Sequence, residues 1–211
     1  MKLDMLSNKF EGKLITFCGL NGSEKTKYIK LLTKWLEEKG YNVYVSSEST
    51  EFEIKNVVFS ADYKTLTNDD HSSVDLLSVV DDIQKDNTII AQKLKEGYIV
   101  INDRCLYTCL TNLIARGFKD EKLIHEISKT IIKPNISFFL NIPVEEASEV
   151  LKQSPDERET NIDLELQKTL HDLYIDFARE NNGIIVSAIL PENSCYERII
   201  FEVIRGIKHK S

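Results

Sequence analysis

Apolar and polar residues follow one another along this chain in blocks, and the blocks change period. KLITFC (13–18) is an unbroken apolar run ending at a glycine, the pattern of a strand buried on both faces. TKYIKLLTKWLEEKG (26–40) then brings Ile29, Leu31, Leu32, Trp35 and Leu36 close to one helical face, with Gly40 placed to close the helix. NVYVSS (42–47) predicts a second strand. Residues 49–73 are polar and have no clear period. They read as a long loop, or a short helix with turns, and a stretch of that length often carries function.

Downstream the alternation resumes. DLLSVVDDIQKDNTIIAQKLKEG (75–97) predicts a long helix ending at Gly97, and YIVIND (98–103) a strand closed by Asn-Asp. Helices are expected over 107–116 and 120–132, then a strand at ISFFLNI (136–142). Pro143 opens a helix over 144–153, and SPDERET (154–160) is a polar break. A long amphipathic helix follows over 162–181, then the strand GIIVSAI (183–189) and a last helix over 193–207. Strands separated by helices mean crossover units, and crossover units give a parallel sheet with both faces covered. The expected fold class is therefore α/β, with a five-stranded parallel sheet. Without repeat, low-complexity tract or linker, residues 1–211 are expected to form a single domain.

Composition narrows the function classes. The net charge is −7 over 211 residues. That argues against a general nucleic-acid surface, which needs clustered cations. A phosphorylated small molecule remains compatible, because a few cations and backbone N–H groups can converge locally. No run approaches the roughly 20 apolar residues that span a bilayer. The start, MKLDMLSNKFEGK, lacks the apolar core of a signal peptide. The expectation is a cytoplasmic protein without a membrane partner. Cys18, Cys105, Cys109 and Cys195 form no C-x-x-C pair. Cys105 and Cys109 could share a helix face, but two sulfurs without histidine neighbours make a poor metal site. Reduced thiols are expected.

The candidate chemistry begins at GLNGSEKT, which is Gly19, Leu20, Asn21, Gly22, Ser23, Glu24, Lys25 and Thr26. A P-loop reads G-x-x-x-x-G-K-[ST] and lies between a strand and a helix, as this stretch does. Successive N–H groups and the helix N-terminus attract phosphate. Lys25 is placed for the β- and γ-phosphates of ATP and the Thr26 hydroxyl for Mg²⁺. Glu24 stands where the second glycine belongs. Its carboxylate opposes a phosphate at 4 Å by roughly 4 kcal/mol at an effective dielectric of 20, about three decades of affinity if fully felt. Two escapes are open to it: ordinary helical φ/ψ with the side chain turned outward, or pairing with a nearby Lys or Arg. Weakened phosphate binding is the expectation. Without Lys25 and Thr26 the stretch would read as a plain strand–turn–helix.

NDRC (102–105) is the second constellation. Asp103 and Arg104 fall at the carboxyl end of a buried strand, where open α/β sheets bind ligands. Alone, the pair would read as an ion pair capping a helix.

Together these pieces resemble the thymidylate kinase family of P-loop nucleoside monophosphate kinases. The likeness runs through GKLITFCGLNGSEKT, LKEG–YIVINDR, KPNISFFLNIPVEEA (133–147) and HDLYIDFA (171–178). It implies a P-loop NTPase-type three-layer sandwich with a short lid at 152–160. It also implies ATP-dependent phosphorylation of a pyrimidine deoxynucleotide, typically dTMP to dTDP, with ATP and Mg²⁺ and a homodimeric assembly. By resemblance, Lys25 and Thr26 serve the ATP phosphates and metal, Asp103 the metal and substrate phosphate, and Arg104 bridges donor and acceptor phosphates. Arg158 in the lid is the candidate transition-state cation, with Lys152 behind it. Glu48 matches the family's acidic residue after the second strand, and Tyr107 and Thr108 fall in the substrate pocket. Departures cluster on the acceptor side. Ser47 and Ser49 flank Glu48 where the family has Arg and Pro. Asp82 stands where a base-holding Arg is usual, Cys105 in place of an aromatic, and Asn112-Leu113 in place of Tyr-Gln. An active dTMP kinase, a catalytically weak nucleotide-binding relative and a kinase with a changed acceptor are thus all open. Asp81-Asp82 reads equally as a solvated helix face. His71, His125, His171 and His209 read as surface or locally hydrogen-bonded residues, and Phe138, Phe139, Tyr174 and Phe177 as core.

Overall fold

A computed structural model describes residues 1–46, 83–103, 105–153, 163–189 and 191–208. The expected loop at 49–73, the first part of the helix at 75–97, and Ser47, Glu48, Ser49, Asp82, Arg104 and Arg158 lie outside the described residues, with most of the expected lid. The strands are β1 (Lys13–Gly19), β2 (Val43–Ser46), β3 (Ile99–Asn102), β4 (Ile136–Asn141) and β5 (Ile184–Ser187). The helices are α1 (Lys25–Glu38), α2 (described over 83–95), α3 (Leu106–Ala115), α4 (Glu121–Ser128), α5 (Val144–Lys152), α6 (Leu164–Glu180) and α7 (Glu192–Lys208).

All five strands pair in parallel, in the order β2-β3-β1-β4-β5. The alternation along each strand divides the core. Ile15 and Phe17 of β1, with Phe138 and Leu140 of β4, pack with Tyr28, Ile29, Leu32 and Leu36 of α1 and with Ile199 and Val203 of α7. On the other face Cys18 and Phe139 meet Leu110 of α3 and Tyr174 and Phe177 of α6. Leu14 and Val100 meet Ile90 and Leu94 of α2. Both faces are therefore covered, which is why the strand sequences read as apolar throughout. Side chains such as Phe17 and Phe138, with no exposed surface, each contribute about 1.5–3 kcal/mol through burial.

Local chemistry sets the helix ends. Asp120 and Asp163 cap α4 and α6, their Oδ1 atoms accepting from Leu123 N at 3.0 Å and Leu166 N at 3.1 Å, each worth about 1 kcal/mol. Gly40 has φ 82° and Gly97 φ 81°, so both close their helices in the left-handed region that glycine enters without steric cost. One helix is shorter than its periodicity predicts. The stretch expected to be helical over 120–132 ends at Ser128. Ile132 instead bridges to Leu6, while Leu6 N donates to Ile131 O and Lys133 N to Leu6 O. A tertiary ladder with the N-terminal segment claims those backbone groups, and local period does not reveal that. Leu3 and Met5 of the same segment are buried in the α3–α6 core.

Candidate functional site

β1 sits inside the sheet, flanked by β3 and β4, where strand order reverses and a crevice opens at the carboxyl ends. The loop Gly19–Glu24 hangs at that point. Gly19 has φ 142° and Gly22 φ 82°, and Ser23 N donates to Leu20 O at 3.2 Å. A Cβ on Gly19 would lie 2.7 Å from Leu140 O, and one on Gly22 2.4 Å from Ala147 O. Both glycines are therefore required by close approach as well as by dihedral angle. Gly22 seats the loop against α5, the helix that leads toward the expected lid.

Glu24 is the N-cap of α1 at φ 58°, ψ 24°. This corrects the first of the two escapes: the residue does not take helical dihedrals but keeps the left-handed conformation a glycine would adopt there. The second escape is the one observed. The exposed Glu24 carboxylate pairs with Lys27 Nζ at 3.4 Å. The Glu24 carbonyl accepts from Lys27 N and Tyr28 N, so α1 begins normally behind it. Lys25 arches back over the loop, its Nζ donating to Gly19 O at 3.0 Å and Leu20 O at 2.8 Å.

Thr26 and Asp103 line a single cleft between α1 and β2, together with Lys30, Lys34 and Val45. The two residues expected to hold a metal thus line one cleft, Thr26 from the start of α1 and Asp103 from the end of β3. Their oxygens are hard donors, the kind Mg²⁺ accepts while keeping waters and phosphate oxygens as its other ligands. On that donor set the residues fit Mg²⁺.

Three of the expected substrate-side residues, Tyr107, Thr108 and Asn112, lie on α3. Tyr107 is 1% exposed, and its ring lies 5.3 Å from Phe139 and 5.9 Å from Phe177. Burial pushes its phenol well above the ordinary tyrosine range, with Cys105 and Cys18 adding to the shift. Asn112 is buried, its Nδ2 donating to Thr108 O at 2.9 Å. Thr108 is half-buried on α3. Cys105 is the N-cap of α3 rather than a member of it, and its Sγ lies 2.8 Å from Cys18 Sγ. All four thiols are free and buried. Phe138, Phe139, Tyr174 and Phe177 are core residues, as their apolar settings predict. His171 Nε2 lies 2.8 Å from Asn141 Oδ1, one of the local hydrogen bonds expected of the histidines. Among the described residues no helix is long and apolar enough to cross a membrane.

One buried group of the site was missed by the sequence reading. Asp86, on α2, ties together the ends of β2 and β3. A lone acid among helical polar residues gives no signal of that contact.

The profile of one protein family, thymidylate kinase, matches residues 17–199. The chain is 29% identical over 204 residues to a probable thymidylate kinase of Pyrococcus horikoshii, covering 94% of this chain and 97% of that one. It is 29% identical over 194 residues to a probable thymidylate kinase of Pyrococcus abyssi, covering 90% and 94%. It is 26% identical over 188 residues to probable thymidylate kinase 2 of Saccharolobus solfataricus, covering 82% and 86%.

Proposed function

The chain belongs to the thymidylate kinase family, and from that premise we propose that it transfers the γ-phosphoryl group of Mg·ATP to a pyrimidine deoxynucleotide, dTMP to dTDP. As a family member it is an ATP-dependent phosphotransferase. The observation that carries the finer reading is the loop itself. Glu24 holds a glycine's backbone conformation, so the turn from Gly19 into α1 keeps its shape, with Lys25 over it and Thr26 and Asp103 in the adjoining cleft.

Phosphoryl transfer asks the protein for position and charge neutralisation more than for covalent chemistry. Loop N–H groups and the N-terminus of α1 orient the donor phosphates. Lys25 exchanges its loop carbonyls for phosphate oxygens. Thr26 and Asp103 would hold the metal, which would supply neutralisation of the phosphate charge. Arg104 and Arg158, with Glu48, Asp82, Tyr107, Thr108 and Asn112 toward the acceptor, complete the proposal on the family resemblance. A homodimer in the cytoplasm is proposed on the same ground.

Coupled ADP release over a panel of deoxy- and ribonucleoside monophosphates tests this. Turnover highest with dTMP is expected, and no turnover with any acceptor overturns the reading. A second reading, nucleotide binding with weak or no turnover, is favoured by the Glu24 carboxylate exposed at the start of α1. Tight Mg·ATP binding without ADP release would establish it.

A further inference from the structure

A buried carboxylate beside the phosphate site is left unused. Asp86 is 8% exposed on α2. Its Oδ1 accepts from the Ser46 hydroxyl, and its Oδ2 from Asn102 Nδ2 at 3.0 Å. Ser46 and Asn102 are register partners, and each is the last residue of its strand. Asn102 is in turn level with Thr16 of β1, and Thr16 with Ser137 of β4. A buried polar rung therefore crosses four strands, and the carboxylate grips two of its members.

Such a rung is a poor device for stability. Burying a polar group without full compensation costs roughly 1–3 kcal/mol, and apolar side chains of similar volume are often no less stable than buried charge. What the bridge fixes is geometry. Asn102 leads directly into Asp103 and Arg104, and Ser46 into Ser47 and Glu48. Both segments are assigned to the metal and the acceptor in the reading above. The phosphate loop hangs instead from β1 and α1, while both Asp86 bonds go to β2 and β3.

We propose that Asp86 is a positioning residue for the acceptor side of the site: by bridging Ser46 and Asn102 it sets the spacing of the carboxyl ends of β2 and β3, and through it the placement of Asp103. The inference rests on the kinase reading. Misplacing a reacting group by about 1 Å costs about 100-fold in rate, so the bridge acts on turnover while lying outside contact with substrate.

The test compares wild type, Asp86→Ala, Asp86→Asn and Ser46→Ala by steady-state kinetics and by amide hydrogen exchange. Asp86→Ala is expected to lower kcat about 100-fold and leave the KM for ATP unchanged. Asp86→Asn should recover most of the loss, because its amide can accept from Asn102 and donate to Ser46. Ser46→Ala removes one bond to a charged group and should cost roughly tenfold; with Asp86→Asn it carries the test if Asp86→Ala fails to fold. Exchange should quicken in residues 99–103 and stay unchanged in the phosphate loop. A raised KM for ATP with kcat unchanged, no recovery in Asp86→Asn, or unaltered exchange at β3 would overturn the inference. A wild-type protein that turns over no acceptor overturns the kinase reading instead. Calorimetric binding of dTMP then judges Asp86 alone: equal affinity in wild type and Asp86→Ala rejects it, and weaker binding in Asp86→Ala supports it.

Discussion

Glu24 and Lys27 face each other across the first turn of α1, carboxylate to ammonium at 3.4 Å. Both are partly exposed, so the pair contributes at most about 1 kcal/mol to stability. The Lys27 ammonium partly offsets the carboxylate's charge beside the loop. The backbone beneath is left-handed, a conformation costing a non-glycine residue roughly 1–2 kcal/mol. Glu24→Gly removes both the strain and the charge, and Glu24→Ala the charge alone. Calorimetry should find Mg·ATP bound more tightly by both, with Glu24→Gly at least the equal of Glu24→Ala. Unchanged affinity in both variants would mean that Lys27 already neutralises the acid.

Lys25 spends its ammonium on two loop carbonyls. Those bonds are local, so Lys25→Ala should leave the melting temperature of the protein alone nearly unchanged. The rise in melting temperature on adding Mg·ATP should disappear, where a ligand at 100 times its dissociation constant normally adds about 2.7 kcal/mol. A variant still stabilised by Mg·ATP would place the triphosphate elsewhere.

Gly22→Ala tests the seat of the loop on α5. The new Cβ would lie 2.4 Å from Ala147 O, at φ 82°. Strain and overpacking together predict a loss of about 1–3 kcal/mol. For a chain of this length each kcal/mol lowers the melting temperature by about 2–4 °C, which differential scanning calorimetry resolves.

Burial raises the Asp86 carboxyl above its ordinary value of 3.8, and the Ser46 and Asn102 hydrogen bonds offset only part of the rise. The folded protein thus holds this proton more tightly than the unfolded chain does. Its contribution to stability is complete below the ordinary value and is lost as pH climbs through the raised one. Asp86→Asn has no such titration. Stability of wild type relative to Asp86→Asn should therefore fall with rising pH across that window, as read from urea midpoints on either side of it. A constant difference would contradict the shift.

The four thiols should be silent in the native protein. Cys18, Cys105, Cys109 and Cys195 are between 0% and 6% exposed. Burial, with Cys105 beside it, pushes the Cys18 thiol well above its usual value, and the thiolate is the reactive form. An aromatic disulfide reagent should react slowly with folded protein and titrate all four at once in guanidinium. A rapid native reaction would show that the core around Cys18 opens.

Sheet, helices and loop were legible because each is written in local pattern. The run Ile15–Phe17 and the face formed by Ile29, Leu32 and Leu36 carry their period in adjacent letters, and burial follows period. Gly19, Gly22, Lys25 and Thr26 carry their chemistry by spacing, since a turn into a helix needs those types in that order. The N-terminal ladder at Leu6 and Ile132, the left-handed Glu24 and the Asp86 bridge were not legible in this way. Leu6 and Ile132 are far apart in the chain, and Asp86 meets Ser46 across forty residues and Asn102 across sixteen. Such contacts exist only once the sheet has set the strand order. Sequence alone determined the strands, the helices and a phosphate loop between the first of each. Tertiary structure decided that Glu24 keeps a left-handed backbone and which acid ties two strand ends together, because backbone strain and buried hydrogen bonds depend on neighbours that packing supplies.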